Sequence, residues 1–149
     1  MEVGDVCLIR NDYERGFREL SRAMRLLRET NQVTGLAITI ATIGSGYRAQ
    51  GMFGKAIQFF RNAQAECGVL ESKTLEAYIR LLLTETYGAM GAWRAAEREA
   101  RRILPIFAKH GMVAEAVAAL SILRESIRQQ KLDPELLREL RERLRPGGS

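Results

Sequence analysis

Seven positions recur at a separation of 40 residues: Ile43, Gly44, Tyr47, Gly51, Ala56, Phe60 and Ala63 are answered by Leu83, Thr84, Tyr87, Gly91, Ala96, Ala100 and Ile103. A fixed period of this length marks stacked helical units, each with an apolar face that only a neighbouring unit covers. A chain built this way makes its core by stacking and presents an extended surface rather than an enclosed pocket. Forty residues earlier, Val3, Gly4, Cys7, Asn11, Gly16, Leu20 and Ala23 repeat the same sizes in nearly the same order. Forty residues later, Leu123, Arg124, Ile127, Lys131, Leu136, Leu140 and Arg143 keep the apolar positions and lose the small ones, as a terminal cap does. Four hairpins, or eight helices, are expected. The repeats span about 1–31, 32–70, 71–110 and 111–145 within a single domain 1–145, and 146–149 form a flexible tail or an added linker. The leading helix of the first hairpin has about ten residues where its successors have about seventeen, within the usual length range, so the chain reads as a piece of a longer array.

Periodicity assigns the helices. Between Tyr13 and Thr30, Phe17, Leu20, Met24 and Leu27 recur at spacings of three and four, with Arg15, Arg18, Arg22 and Arg25 on another face. The run Leu36 to Ile40 is rich in β-branched residues and alternates like a strand. Its place in the repeat predicts a helix, because an isolated strand would have no pairing partner in this chain. Gly51 and Gly91 fall between the helices of their hairpins, where a positive φ costs glycine little, and Asn11 takes the equivalent place. Lys109, His110 and Gly111 read as a helix end, with cations near its negative pole and a glycine just past it. Asp133-Pro134 reads as an N-cap followed by proline at the first helical position. Pro105, inside Arg101 to Lys109, predicts a kink or a break.

Chemistry is sparse. The two cysteines stand 60 residues apart, without the close spacing of a zinc site or the density of a disulfide scaffold, so no metal and no cofactor is expected. Cys67 and Cys7 read as small core residues. His110 is the sole histidine and reads as a helix cap; Cys67 has no base beside it in sequence. No phosphate loop or dinucleotide fingerprint is present, and no catalytic residue is assigned. Glu85 and Glu125, one repeat apart, lack the supporting groups of a hydrolytic pair. Tyr47 and Tyr87 are expected as core rings between paired helices rather than as a base-stacking ladder, and Trp93 as a packing residue at the start of its helix. The net charge is +5, carried by nineteen arginines among the 23 cations. Basic charge of this size permits attraction to nucleic acid or an acidic partner, but Glu14 and Glu19 interrupt the arginine row, which reads first as a solvated face. With no apolar run long enough for a signal peptide or membrane span, cytoplasmic residence and no membrane contact are expected.

Gly44-x-x-Tyr47, Gly51, Ala56, Phe60 and Ala63 resemble the tetratricopeptide repeat, whose small residues let paired helices approach closely. The resemblance is strong in the second repeat, fair in the third, where Thr84 replaces glycine and Ala100 replaces phenylalanine, and weak at the ends. The 40-residue period exceeds the usual 34, which is similar to the long-helix variants of bacterial regulators. The resemblance implies an all-α, right-handed superhelical solenoid of about four antiparallel hairpins, in which the first helix of each lines a concave groove. It places Ile38, Ala41, Ser45, Arg48 and Ala49 on that groove from the second repeat. Tyr78, Leu81, Glu85 and Ala89 join from the third, and Ala118, Ser121, Glu125 and Arg128 from the last. Only Arg48 matches the basic and asparagine set of carboxylate-clamping members, so no clamp is expected.

The function these features imply is a non-enzymatic scaffold for protein–protein interaction, holding a peptide or helix of a partner protein in the groove. Nucleic-acid binding through the arginine-bearing outer helices is the alternative. Self-association as a homo-oligomer through the N-terminal hairpin, by exposed Leu8, Ile9, Phe17 and Leu20, is a third.

Overall fold

A computed structural model of the chain describes residues 13–30, 32–70, 73–109 and 114–144. All the described secondary structure is helical: α1 (Tyr13–Glu29), α2 (Val33–Ala49), α3 (Phe53–Leu70), α4 (Lys73–Ala89), α5 (Trp93–Lys109), α6 (Ala114–Arg128) and α7 (Pro134–Leu144). The helix expected before Tyr13, the turn at Asn11, Cys7, and the helix end at His110 and Gly111 lie outside the described residues. The chain divides into two compact units, residues 1–71 and 72–149.

In the first unit α2 packs on both α1 and α3. That central place explains how a β-branched, strand-like run becomes a helix. Leu36, Ala37, Ile40, Ala41 and Ile43 are all buried, so packing on two sides outweighs the weak local preference of the backbone. The hydroxyl of Thr42 donates to the carbonyl of Ile38 four residues back, at 2.9 Å, which spares it an unmet polar group. Phe17, Leu20 and Met24 of α1 come down on Ile43. Tyr47 lies between two rings, Phe17 at 4.4 Å and Phe59 at 5.3 Å between centroids, as a ring held between helices should. Leu20 is buried and Phe17 only half-exposed, so neither is the open apolar surface that self-association through the first hairpin requires. Leu8 and Ile9 lie outside the described residues.

Helices α2 and α3 approach tightly at Gly44. A β-carbon built there would stand 2.8 and 2.9 Å from two ring carbons of Phe60. One period later the sizes are exchanged, with Thr84 on α4 and Ala100 on α5, both buried. The departure from the repeat pattern at these two positions is a swap of large and small across the same helix pair.

The second unit is a circuit of four helices. α5 packs on α4 and α6, α7 packs on α6, and α7 returns to α4. Ala77, Leu81, Ala100, Leu120, Leu123 and Leu140 draw its core from all four helices. Between α4 and α5 an ion pair joins the apolar packing: Arg80 Nη1 lies 2.9 Å from Glu99 Oε2, with Glu76 completing the arrangement at 3.2 Å. Helix α5 runs unbroken through Pro105. The proline nitrogen cannot donate to the Arg101 carbonyl, and both residues are exposed. Trp93 opens α5 and packs its half-buried ring on the core, as expected.

Three turns share one hydrogen-bond pattern. Gly51, Gly91 and Gln130 each adopt a positive φ (78°, 78° and 58°), their N–H groups donating to Arg48, Gly88 and Ile127 carbonyls. The following N–H groups of Met52, Ala92 and Lys131 donate five residues back around the turn, to Tyr47, Tyr87 and Ser126. This double bond pattern closes the end of a helix on a left-handed residue. In the last turn the sequence alignment pointed to Lys131, whereas the left-handed residue is Gln130. The first two turns begin the next helix two residues on, at Phe53 and Trp93; the third continues to Asp133 before α7 begins. Asp133 Oδ1 accepts from the N–H groups of Glu135 and Leu136 at 3.0 and 3.3 Å, the expected N-cap.

Candidate interaction surfaces

The helical period distributes the expected groove residues over two units. Ile38, Ser45 and Arg48 lie along one side of α2, in the first unit. Ile38 and Ser45 are partly exposed, with Thr34 and Ala49 exposed on the same side, so the strip sets small side chains around one larger one, Ile38, while Ala41, also expected there, is buried. Arg48 is half-buried.

The equivalent side of α4 is different. Tyr78 is half-buried against the core, Leu81 is fully buried at 0 %, and Glu85 is buried at 9 %. The cover is α7. Arg141 Nη1 lies 2.6 Å from Glu85 Oε1, and Leu136, Leu137, Leu140 and Leu144 turn inward beside it. Leu132, in the preceding connection, packs over Gly88, where a β-carbon would meet its methyls at 2.8 and 2.9 Å. Of the four residues expected to line an open groove from this repeat, Leu81 and Glu85 are buried and Tyr78 is half-buried, while Ala89 is exposed. The signal that could have revealed this is the leucine pattern of α7, with Arg141 beside it one turn from the helix end, which matches an acidic and apolar face.

On α6, Ser121, Glu125 and Arg128 are exposed. The Ser121 hydroxyl donates to the Val117 carbonyl at 3.2 Å. Arg128 reaches Glu125 at 3.6 Å and Glu97 of α5 at 3.4 Å. Hydrogen bonds from Arg101 and then Arg128 hold the Glu97 carboxyl below its ordinary pKa. These charges form a local surface network rather than a site around a reacting centre.

Helix α1 presents another surface. Arg15, Arg18, Arg22 and Arg25 are exposed on the side opposite Phe17 and Leu20. Arg15 pairs with Glu19 at 3.8 Å, while among the described residues Arg18, Arg22 and Arg25 form no ion pair. Lys55 of α3 extends over the Tyr47 ring at 5.3 Å.

No group of three metal-ligating side chains occurs among the described residues. A shallow depression of about 440 Å³ beside Asp133, Glu135, Glu139 and Glu142 is acidic, but Asp133 caps α7 and Glu135 and Glu139 pair with Arg138 and Arg143. Cys67 is buried. No helix among the described residues is long and apolar enough to cross a membrane. No family model, curated protein or solved structure matches the chain.

Proposed function

We propose that this chain is a non-enzymatic, cytoplasmic interaction module, a right-handed array of tetratricopeptide-type hairpins whose first-helix faces hold a peptide or helix from a partner protein. The observation that carries the reading is the pair of repeat-equivalent faces. Ile38 and Ser45 on α2 stand partly exposed in a strip of mostly small side chains, and their counterparts Tyr78 and Glu85 on α4 lie where a helix already packs. A surface of small residues admits close approach of a partner's backbone, and a few apolar anchors along it suffice for recognition.

The test is capture by the tagged chain from its native lysate after nuclease treatment, with Ile38→Glu and Ser45→Glu as variants. A discrete protein lost with both variants, while their melting temperatures stay within a few degrees of the parent, supports the reading. A captured set indifferent to both variants refutes it.

A second reading has its own observation. Arg18, Arg22 and Arg25 stand in one solvent-facing row about 10 Å long, at 1.5 Å per residue, with no ion pair among the described residues. Like charges at this spacing repel, so the row favours an anionic partner such as a nucleic-acid backbone. Binding of a labelled oligonucleotide should then fall steeply with salt and be lost on charge reversal of the row. Salt-insensitive or undetectable binding removes this reading.

A further inference from the structure

We propose that the α4 face of the second unit is a helix-binding site with α7 as its resident ligand, and that the helix it accepts in trans is residues 134–144 of a second copy of this chain. The inference rests on the reading of first-helix faces as partner surfaces and assigns the partner for one of them.

Three observations lead to it. The first is the repeat register. Positions 38 and 45 of α2 correspond to 78 and 85 of α4; Ile38 and Ser45 are partly exposed, whereas Glu85 is buried where a helix packs. Within the repeat pattern α7 is the second helix of the last hairpin, and its return to α4 covers a face whose counterpart in the preceding unit stays partly exposed.

The second is the chemistry of the contact. A ligand for this face needs leucines on one side to reach Leu81 and Ala77, and a cation to meet Glu85. Helix α7 supplies Leu137, Leu140 and Leu144 to the shared core and Arg141 to the carboxylate at 2.6 Å. Its outer side, with Arg138, Glu139, Glu142 and Arg143, is exposed and ion-paired along its own length. This is an apolar face with one charged specificity contact, the form in which an amphipathic helix is recognised in a groove.

The third is the connection. From the left-handed turn residue to the next helix, the chain takes two steps at Gly51 and Gly91 but four at Gln130. Gln129, Gln130, Lys131 and Asp133 are exposed, and Gln130 holds a left-handed conformation that glycine adopts more readily. Helix α7 has eleven residues, below the length at which an isolated helix is stable in water. Once released it has no structure to keep except on a face like that of α4. A second copy offers the same face, where every contact made within one chain is made again between two.

The test uses the full chain and a fluorescein-labelled synthetic peptide covering residues 131–145, read by anisotropy. In the wild-type chain the resident helix competes, so the peptide should bind weakly. Arg141→Glu in the chain sets two carboxylates against each other at Glu85, and the wild-type peptide should then bind at least tenfold more tightly. The same substitution in the peptide should weaken binding at least tenfold. One change with opposite effects in cis and in trans is the signature of exchange at a single face. If the Arg141→Glu chain loses its helical circular dichroism, Glu85→Arg is the second variant, and it should prefer the peptide carrying Arg141→Glu by at least tenfold over the wild-type peptide. Peptide affinity unchanged within twofold by these substitutions, or equal binding of a scrambled peptide, overturns the proposal. Failure here with Ile38→Glu still abolishing capture of a partner protein would overturn this assignment alone. Peptide exchange without any captured partner would leave it standing and refute the wider reading.

Discussion

Replacing Gly44 by alanine tests a tight helix contact in the first unit. The added methyl would lie 2.8 and 2.9 Å from two carbons of the Phe60 ring and 3.2 Å from the Ala56 carbonyl oxygen. Carbon atoms prefer a separation of about 3.5–4.0 Å, so either the ring turns or α2 and α3 part by more than half an ångström. Phe60 and Ala56 are both fully buried, which leaves little room for the first escape. Overpacking of this kind costs about 1–3 kcal/mol, and the better helix propensity of alanine returns about 1 kcal/mol. A net loss of up to about 2 kcal/mol is expected. Phe60→Ala alone should cost about 3–5 kcal/mol, because it empties the space the ring fills. In that background the Gly44 methyl meets no ring, so Gly44→Ala should become neutral or stabilising by up to about 1 kcal/mol. The double variant should be about 2 kcal/mol more stable than the two single losses added together. Urea denaturation followed by circular dichroism measures all four corners of this cycle. The same change from Gly44→Ala with and without Phe60, to within about 0.5 kcal/mol, would refute the close-approach argument.

Gln130→Gly should raise stability by about 0.5–1 kcal/mol, since it relieves a side chain held at positive φ; an unchanged or lowered denaturation midpoint counts against this. Glu99→Ala leaves Arg80 with only Glu76 and should cost about 3–5 kcal/mol, whereas Glu99→Leu combined with Arg80→Met should recover most of that loss in the same assay. Glu97 has a pKa held below its ordinary value of 4.5, so its contribution is present above that pH and is lost as pH falls through the lowered value. The stability gap between the parent and Glu97→Gln should therefore close on acidification below about pH 4.5 and also shrink in high salt, because the pair is solvent-exposed. A gap that widens in acid would reverse the assigned sign.

The repeat pattern was sufficient for the helices and their turns because both depend on short-range physics. Gly51 and Gly91 mark left-handed turns, Asp133 caps α7, and the inward row of α1 is visible at spacings of three and four. Even the strand-like run at Leu36 was resolved by position in the repeat. Other features depended on what lies across space. Pro105 sits in an unbroken helix because that side of α5 faces water, which the local sequence does not state. Leu81 and Glu85 read as surface residues by register, and their burial follows from a helix more than 50 residues further along the chain. The clue was a connection two residues longer than its counterparts, ending in a helix whose leucines and Arg141 needed a complementary face.

The aromatic groups are divided between the units in a way that matters for watching the chain unfold. Its single tryptophan, Trp93, packs against the core of the second unit. The stack of Phe17, Tyr47 and Phe59 belongs to the first. Tryptophan emission is thus a channel for the second unit alone, whereas the near-ultraviolet dichroism adds the stacked rings of the first unit to Trp93, Tyr78 and Tyr87 of the second, all without any label. Coincident melting in both channels means that the two units fold as one cooperative block. Separated transitions mean that each carries its own stability, and that a ligand of one unit can be recognised by which channel it shifts.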